Sequence, residues 1–330
     1  MKLILDVMGG DNPAAELVRG AVAAMREYGT EIVLVGREAE LREALAAEGA
    51  SGACEIVNAD DVVTMEDEPT SVLRAHKESS MTKAVRLLAD GAGDAMVSTG
   101  NTGALFTAAT LIVHRIPGIR RAALATILPY SNPVFLLDCG ANVTVTPDYL
   151  TQFAYLGSVY IQKVFGVASP RVGLLNNGAE AHKGTPLYVD THRLLSEMQD
   201  IRFIGNVEGK EIPFDVCDVL ICDGFTGNIL LKTSEGLCRY LTGKVAGIFG
   251  DASAVSPDVA EKLRSFTRFF DAREYGGAPF LGLAKPVIKA HGGSDAVAFK
   301  SAIRQAITYA ETGVIAEIEA KAETLTPSAE

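Results

Sequence analysis

The stretch that decides the fold is AMVSTGNTG (residues 95–103), followed at once by ALFTAATLIV (residues 104–113). The first residues suit a short buried strand, a glycine-rich polar turn follows them, and the next apolar run has the length of a helix. The same succession recurs along the chain. Strands that alternate with helices predict an α/β fold, in which a mostly parallel sheet carries helices on both faces.

The hydrophobic pattern predicts the other elements in the same way. We expect strands at 3–5, 32–35, 55–57, 95–97, 122–128, 134–137, 172–175, 216–222 and 287–290. We expect helices at 13–28 (capped by Asn12), 38–48, 81–88 (capped by Ser80), 104–113, 148–165, 186–198, 227–249, 257–270 and 295–322. Together they predict a doubly wound α/β/α sandwich that forms a single domain over residues 1–330.

Two of the predicted helices, at 227–249 and 257–270, have no predicted strand between them. We therefore expect residues 227–272 to form a helical hairpin that projects from the sheet. Such a hairpin is a candidate for dimerisation or for contact with a partner.

The composition is that of an acidic globular protein. Its 330 residues include 30 Lys and Arg against 41 Asp and Glu, which gives a formal net charge of −11. Nucleic acid is not an expected partner, because binding to phosphate backbones needs a basic surface. The five cysteines form no Cys-x-x-Cys pair, so we expect reduced thiols and no metal site. The apolar run at 103–113 is too short to span a bilayer, and Asp6 interrupts the first apolar run, so we expect a cytoplasmic protein.

Ligands of open α/β sheets bind beyond the carboxyl ends of the strands, so the strand-to-helix turns are the candidate sites. The first turn, residues 6–11, combines two carboxylates with two glycines: Asp6, Gly9, Gly10 and Asp11. Glycines let a ligand approach the backbone closely. A tight turn with Asp11 as a helix cap is the structural alternative.

The second turn, residues 98–103, has the composition of a phosphate-binding loop. Its hydroxyls, amide and glycines belong to Ser98, Thr99, Gly100, Asn101, Thr102 and Gly103. Backbone N–H groups just before a helix favour an anion. The turn is neither a Walker A loop nor a Gly-x-Gly-x-x-Gly fingerprint. An ordinary capped turn is the alternative.

The third turn, residues 176–184, places a carboxylate, His182 and Lys183 close together in sequence. Lys183 is the best candidate for neutralising a bound anion, because it carries a positive charge beside glycines that leave space. A solvated loop is the alternative.

The fourth turn follows a predicted buried strand and comprises residues 223–228. Its candidate ligand-binding residues are Asp223, Gly224, Thr226, Gly227 and Asn228. A helix cap is the alternative. Two smaller turns, at 138–142 and 291–294, add Asn142 and His291, although a lone histidine is as often a packed or capping residue.

These side chains predict phosphate chemistry without a metal or cofactor. No Ser-His-Asp order, Cys-His pair or His-Glu-x-x-His motif stands out. A bound phosphate could itself act as the nucleophile. The protein would then supply groups that hold it, donors for the developing oxyanion and an acid for the leaving group.

At these turns the sequence resembles the PlsX family of bacterial phosphate acyltransferases. The resemblance rests on DVMGGD (6–11), STGNTGA (98–104), LLDCGAN (136–142), HKG (182–184), GNVEG (205–209), CDGFTGNILLKTSEG (222–236) and HGGSDAVA (291–298). Departures are Val7, Ala179 and Arg121, where the family usually has Ala, Glu and Pro. The change at position 179 leaves Glu180 as the remaining carboxylate near Lys183.

The resemblance implies a homodimeric α/β/α fold related to phosphotransacetylases and to isocitrate-type and isopropylmalate-type dehydrogenases. It implies transfer of a long-chain acyl group from acyl carrier protein to inorganic phosphate during phospholipid synthesis, with no cofactor. The acyl phosphate would pass to a membrane glycerol-3-phosphate acyltransferase. Peripheral membrane association is therefore expected of a cytoplasmic protein.

Under this resemblance, the second turn is expected to hold phosphate or the acyl-phosphate head group. Lys183 would neutralise the phosphate and polarise the thioester carbonyl. Asp223 and Asn228 would orient the phosphate or the leaving thiol, and His182 or His291 would protonate that thiol.

The acidic carrier protein would need a local basic patch on this acidic chain. The candidates are Arg115, Arg120 and Arg121, or Lys262, Arg264, Arg268 and Arg273 on the hairpin, with solvated helix faces as the alternative. Near the hairpin tip, Val245, Ile248 and Phe249 could touch a membrane or form a dimer core.

Three other functions compete with this one. A phosphotransacetylase that uses short acyl-CoA would share the turns and the nucleophile. An NAD-dependent decarboxylating dehydrogenase would share the fold, but it would need a cluster of arginines and metal-binding aspartates that the sequence lacks. A membrane-surface scaffold without activity would leave the polar turns without a purpose.

Overall fold

This computed structural model describes residues 1–130, 132–249, 256–269, 276–323 and 325. The described residues form the strands β1 (Lys2–Asp6), β2 (Glu31–Gly36), β3 (Glu55–Asn58), β4 (Ala95–Ser98), β5 (Ala123–Leu128), β6 (Val134–Leu137), β7 (Arg171–Asn176), β8 (Arg202–Glu208), β9 (Val219–Ile221), β10 (Ala278–Leu281) and β11 (Val287–Lys289). Most of the strand pairs are parallel, and helices separate most of the strands along the chain. The α/β class predicted from the sequence is thereby confirmed.

The described helices are α1 (Ala14–Tyr28), α2 (Glu38–Ala47), α3 (Ser80–Ala89), α4 (Thr102–Ala108), α5 (Pro147–Phe165), α6 (Pro186–Glu197), α7 (Gly224–Phe249), α8 (Pro257–Phe269), α9 (Ala296–Glu311) and α10 (Val314–Ala322). A π-helical turn at Ala109–Val113 continues α4. Short 3-10 helices lie at Pro69–Leu73 and Ile212–Phe214.

The chain divides into two compact units. Unit 1 comprises Met1–Ala125, Gln162–Val167 and Tyr275–Glu330, and unit 2 comprises Thr126–Ile161 and Ala168–Glu274. The single-domain organisation stays a prediction.

Unit 1 is built on strands in the order β3-β2-β1-β4-β11-β10-β5, with the first half of β5 in this unit. The strands from β3 to β11 pair in parallel, and β10 runs antiparallel to both of its neighbours. Every residue of β4 is buried, so both faces of the sheet are covered there. The helices α1 and α9 approach so closely that a Cβ on Gly20 would lie 2.5 Å from the carbonyl oxygen of Ala296.

Unit 2 contains the strand order β6-β9-β7-β8, all in parallel pairs, and the second half of β5. The buried helix α5 packs on them through Gly157, where a Cβ would lie 2.7 Å from Val219 Cγ1. The stacked rings of Phe135 and Tyr160, with centroids 4.7 Å apart, join the same helix to β6. These contacts fix the sheet from which the turns of unit 2 emerge.

The second half of α7 exposes several large apolar side chains: Leu237, Tyr240, Leu241 and Ile248. This helix also contacts α8. Residues 250–255, between the two helices, and 270–272, at the end of the predicted hairpin, lie outside the described residues.

Several predicted boundaries are wrong. Ser79 rather than Ser80 caps α3, with its hydroxyl accepting from Thr82 N, and the side chain of Asn12 donates to Ser294 O instead of capping α1. The closing helix is interrupted at Gly313, whose φ of 72° starts a new helix. The strand predicted at 216–222 is shorter, Val219–Ile221.

Two strands, β8 and β10, were not predicted from the sequence. In β8, at the edge of its sheet, only Asn206 and Val207 are buried, so the sequence carries no apolar pattern there. In β10 a proline, Pro279, interrupts the run.

Candidate active site

The three predicted turns of unit 1 come together at the carboxyl ends of β1, β4 and β11. The backbone N–H of Asp11 donates to Gly292 O at 2.8 Å, which joins the 6–11 turn to the 291–294 turn. The N–H of Ala290 donates to Ser98 O at 2.9 Å, which joins the same segment to the 98–103 turn. Polar residues that are far apart in sequence therefore form one cluster, which we call the unit 1 cluster.

Glycines let these turns approach at backbone distance. A Cβ on Gly10 would lie 2.8 Å from Thr99 Oγ1 and 3.0 Å from Gly292 O. Gly9 has a φ of 74°, in the region that favours glycine. Larger side chains would fill the space above the turns.

Two neighbouring hydroxyls of this cluster, those of Ser98 and Thr99, differ in their partners. Ser98 Oγ donates to Asp6 Oδ2 at 2.6 Å and accepts from Gly100 N at 3.1 Å, so its hydrogen is committed within the protein. Thr99 Oγ1 is buried and has no hydrogen-bond partner among the described residues. An unmade bond of this kind costs about 1–3 kcal/mol. The Thr99 hydroxyl is therefore free to bond to a ligand oxygen, whereas that of Ser98 is not.

The Asp6 carboxyl is fully buried beneath these turns. Burial raises its pKa to about 6, against the hydrogen bond from Ser98, which lowers it. Asp6 thus holds a proton more readily than an exposed carboxyl, while it fixes the hydroxyl of Ser98.

Lys289 is a residue of this cluster that the sequence analysis missed. It is buried at the end of β11, and its ammonium donates to Thr99 O at 3.1 Å and also to Ala290 O. A single lysine at the end of an apolar strand gives little signal. Its position just before the His-Gly-Gly-Ser turn could have marked it.

Asn101 has a different place from the one that its prediction as a phosphate-binding residue suggests. Its Oδ1 accepts from Ala104 N at 3.1 Å and caps α4. Its Nδ2 donates to the carbonyl oxygens of Thr64, Met65 and Asp67, at 3.2, 3.2 and 3.1 Å. The amide is thus already bonded to a segment that we call the 59–79 loop, between β3 and α3.

The 59–79 loop packs on the glycines of the unit 1 cluster. A Cβ on Gly9 would lie 2.8 Å from Val63 O, one on Gly103 would lie 2.9 Å from Pro69 Cγ, and one on Gly292 would lie 2.9 Å from Met65 Cε. The loop therefore covers part of the cluster. Its irregular sequence has no periodicity that could have indicated this.

His76 fastens the base of the 59–79 loop. Its Nδ1 lies 2.9 Å from Asp61 Oδ1, and its Nε2 lies 3.6 Å from Asp67 Oδ2. Asp67 also accepts from the backbone N–H of Thr64 at 2.7 Å, and this bond holds its pKa below the usual value.

The remaining predicted site residues of unit 1 have side chains that are more exposed to solvent than those of Asp6, Ser98 and Thr99. Asp11 and His291 are exposed, and Thr102 is partly buried. His291 Nδ1 accepts from Gly293 N at 3.0 Å, which leaves Nε2 as the nitrogen that carries hydrogen in the neutral ring.

In unit 2, Lys183 is half-buried, and its ammonium has no hydrogen-bond or ion-pair partner among the described residues. Two amides hold its turn. Asn176 Nδ2 donates to Lys183 O at 3.1 Å, and Asn206 Nδ2 donates to Glu180 O at 2.8 Å. The neighbouring His182 is exposed. The turn is therefore fixed while the ammonium stays available.

Asp223 is a buried carboxylate whose oxygens are occupied. Its Oδ2 accepts from Tyr188 Oη at 2.6 Å and Thr226 Oγ1 at 2.7 Å, and its Oδ1 accepts from Thr226 N at 2.9 Å. Burial raises its pKa, and the bonds from Tyr188 and Thr226 outweigh that effect, so the pKa lies below its usual value. Asp223 is suited to orienting the start of α7 and not to accepting a proton.

Asp138 organises the predicted 138–142 turn, although the sequence predicts no separate role for it. Its carboxylate accepts from the N–H groups of Gly140 and Ala141, both at 3.0 Å, and from both nitrogens of Asn142, both at 2.7 Å. Burial raises the pKa of Asp138, while these donors lower it.

This turn docks on the start of α7. Gly224 N donates to Asn142 O at 2.8 Å, and Asn228 Nδ2 donates to Cys139 O at 3.2 Å. A Cβ on Gly227 would lie 2.0 Å from Asp138 O, so glycine is required there. The structure brings together the predicted residues Asn142, Gly224, Gly227 and Asn228.

Metal-binding clusters and membrane-spanning helices are both absent from the described ranges. No group of three or more His, Cys, Asp or Glu side chains in them could hold a metal ion. No helix in the part of the chain that the structure describes is long and apolar enough to cross a membrane.

The candidate basic patch on α8 is partly neutralised. Lys262 pairs with Asp258 at 2.8 Å, and Arg264 pairs with Glu261 at 2.7 Å. The side chain of Arg268 and the whole of Arg273 lie outside the described residues.

Solved structures similar to this chain include a phosphotransacetylase, a branched-chain phosphotransacylase and a dehydrogenase. A phosphotransacetylase from Streptococcus pyogenes superimposes with a TM-score of 0.64 at 18% identity, covering 94% of each chain. A branched-chain phosphotransacylase from Enterococcus faecalis gives 0.61 at 15% identity, over 94% of this chain and 100% of the other. A 4-hydroxythreonine-4-phosphate dehydrogenase from Klebsiella pneumoniae gives 0.54 at 13% identity, over 94% and 99%. The fold is therefore the one that phosphotransacylases and these dehydrogenases share.

Relatives that are similar in sequence show which family within this fold the chain belongs to. The family described as "Fatty acid synthesis protein" matches residues 1–317. The phosphate acyltransferase of Desulforamulus reducens is 41% identical over 322 residues, with 97% of this chain and 96% of the relative covered. That of Clostridium novyi is 38% identical over 338 residues, with 98% and 99% covered. The chain belongs to the phosphate acyltransferase family of fatty acid synthesis proteins, as the resemblance to the PlsX family predicted.

Proposed function

We propose that this protein transfers a long-chain acyl group from acyl carrier protein to inorganic phosphate, for glycerophospholipid synthesis. The observation that carries the proposal is the buried Thr99 hydroxyl, which has no hydrogen-bond partner among the described residues and lies in a glycine-lined turn. The relatives named phosphate acyltransferase support the reaction type.

In this reaction an oxygen of phosphate attacks the carbonyl carbon of the acyl thioester. A carbon–oxygen bond forms, the carbon–sulfur bond breaks, and the proton of hydrogen phosphate ends on the leaving thiol. The products are acyl phosphate and free carrier protein. The unit 1 cluster is proposed to hold the phosphate through Thr99 Oγ1 and the backbone N–H groups of residues 98–103, with Asp6 fixing Ser98.

The unit 2 turns are proposed to act on the acyl thioester. Lys183 has an available ammonium on a fixed turn, which suits it to stabilise the oxyanion that develops on the carbonyl. Asp223 and Asn228 hold the backbone at the start of α7. Protonation of the leaving thiol by the exposed His182 or His291 is a further part of the proposal.

The experiment that tests the proposal is trapping of acyl phosphate with hydroxylamine. The purified protein receives long-chain acyl carrier protein with or without inorganic phosphate, and a chelator is included in a parallel sample. A phosphate-dependent hydroxamate that survives the chelator is the expected result. A signal with short acyl-CoA alone would move the protein to the phosphotransacetylase function, and no signal with either donor would overturn the proposal.

The proposed partners follow from the same reaction. The exposed apolar side chains of α7, Leu237, Tyr240 and Leu241, support a homodimer, and Ile248 near the helix end supports peripheral contact with a membrane, where a glycerol-3-phosphate acyltransferase would take the product. Leu237→Asp should turn a dimer into a monomer in sedimentation velocity. An unchanged sedimentation coefficient would contradict this assignment of the interface.

A further inference from the structure

Three polar side chains form a row across adjacent strands of unit 1. In the parallel register Asp6 of β1 lies opposite Ser98 of β4, and Ser98 lies opposite Lys289 of β11. Register partners in a parallel sheet place their side chains on the same face. A carboxyl, a hydroxyl and an ammonium therefore stand side by side, and all three residues are buried.

The Lys289 ammonium binds the backbone of two of the turns in the cluster. It donates to Thr99 O in the 98–103 turn and to Ala290 O, just before the 291–294 turn. Both acceptors are neutral carbonyls. The positive charge thus contacts the backbone of Thr99, the residue whose hydroxyl has no hydrogen-bond partner among the described residues.

The charges of the unit 1 cluster indicate a role for the Lys289 ammonium. The unit 1 cluster contains two carboxylates, Asp6 and Asp11, which would oppose the binding of an anion. Lys289 is the lysine or arginine found in the turns of the cluster and in the strand residues next to them, which are the turns 6–11, 98–103 and 291–294. Its positive charge does not depend on the protonation of a histidine. Replacing both members of a buried pair of opposite charges by uncharged side chains costs little, whereas removing one member is strongly destabilising.

We propose that Lys289 is the cation of the unit 1 cluster and that its charge balances a phosphate group bound at Thr99. This inference rests on the proposed function. It makes Lys289 a positioning residue, which acts through the Thr99 carbonyl and through its electrostatic field. The chemistry it recognises is that of a phosphate group, which could come from free phosphate or from the phosphopantetheine arm of a carrier.

The test separates charge from packing by using the Asp6→Asn background. Lys289→Met alone would leave the Asp6 carboxylate without a nearby cation and is expected to lower the melting temperature. In the double variant Asp6→Asn/Lys289→Met both charges are gone and the row stays compact. Calorimetric titration with inorganic phosphate then compares Asp6→Asn, Asp6→Asn/Lys289→Met and Asp6→Asn/Lys289→Arg.

We expect Asp6→Asn to bind phosphate more tightly than the unchanged protein, because an opposing charge is lost. The Met double variant should bind it about tenfold or more weakly than Asp6→Asn, and the Arg double variant should recover most of the affinity. Lys300→Met on α9, a change of the same net charge at a partly exposed position, is the control and should leave the affinity unchanged. Phosphopantetheine in a parallel titration identifies which phosphate source shows the effect.

Two negative results have different meanings. Equal affinity of Asp6→Asn and its Met double variant for both phosphate sources would overturn the role of Lys289 and leave the proposed function standing. A lack of phosphate binding by the unchanged protein, together with no trapped acyl phosphate, would overturn both.

Discussion

The side-chain amide of Asn206 donates a hydrogen bond of 2.8 Å to the carbonyl oxygen of Glu180. The orientation of that amide is itself fixed, because its Oδ1 lies 3.0 Å from His192 Nδ1. The rings of His192 and Phe203 form a T-shaped pair, with centroids 5.2 Å apart. The turn that carries Lys183 is thus fastened from β8.

Asn206→Asp removes this fastening with little change of shape. The carboxylate can still accept from His192 but cannot donate to Glu180 O, so the turn loses one of the amide donors that hold it. We expect turnover to fall about tenfold and the melting temperature to fall as well, because the buried carboxylate faces the carbonyl oxygen of Glu180 without a hydrogen between them. Steady-state kinetics of acyl phosphate formation measure this, and Asn177→Asp on the same turn is the matched control. Equal turnover of the two variants would contradict the role of Asn206.

Lys183→Ala removes the available ammonium itself. We expect turnover to drop by about two to three orders of magnitude while the chain stays folded, because a lost oxyanion donor costs roughly 3 kcal/mol or more in the barrier. Lys210→Ala, which removes a lysine paired with Glu208 in the same unit, is the control and should keep its activity. Near-normal turnover of Lys183→Ala, measured with a circular dichroism spectrum to show folding, would remove Lys183 from the reaction.

Asn101→Asp separates the accepting role of one amide from its donating role. The carboxylate can still accept from Ala104 N and cap α4, but it cannot donate to the carbonyls of Thr64, Met65 and Asp67. We expect faster hydrogen exchange in residues 62–69 and unchanged exchange in α4. Asn101→Ala, which also loses the cap, should speed exchange in both segments. Unchanged exchange at 62–69 in both variants would show that Asn101 does not hold the loop.

Asp6 predicts a pH dependence of stability with a definite sign. Its folded pKa, about 6, lies above the usual value of 3.8, so the folded state binds more protons between these values, and its ionisation costs stability as pH rises through that range. The cost at neutral pH is about 3 kcal/mol, since each pKa unit corresponds to about 1.36 kcal/mol.

We therefore expect Asp6→Asn to gain in melting temperature relative to the unchanged protein as pH rises from about 4 to about 7, with the change centred between these values. Thermal unfolding followed at several pH values measures the difference. Asp90→Asn, at an exposed position after α3, is the control and should show no such trend. A constant difference for Asp6→Asn across the range would refute the raised pKa.

The sequence predicted the parallel strands and the polar turns because both follow from local patterns. Glycines and hydroxyls after an apolar run are visible in one stretch such as 95–103, and the parallel arrangement places such turns at one edge. Partners far apart in sequence were not predictable in this way. Nothing near Ser98 indicates that its hydroxyl bonds to Asp6, and nothing near Asn101 indicates the bonds to the 59–79 loop.

Other misses have separate causes. In the sequence Lys289 is only the last residue of a short strand. Its burial was not predictable, because it depends on neighbours contributed by β4, which is far away in the sequence. β8 carries Asn206 but shows no apolar alternation, since it lies at the edge of its sheet. A contact that depends on strand order becomes visible only when the order is known.

The order of the strands in unit 1 has a consequence for synthesis on the ribosome. β11 lies between β4 and β10 inside the sheet, although it comes from residues 287–289, and α1 packs on α9 from residues 296–311. During synthesis the β4 edge of the early strands β1 to β4 therefore has no β11 to pair with until residues 287–289 have been synthesised. Unit 2 is complete at Glu274 and can form first. The polar row of Asp6, Ser98 and Lys289 is assembled late, so nascent chains stalled before residue 287 should contain unit 2 but no phosphate-binding cluster.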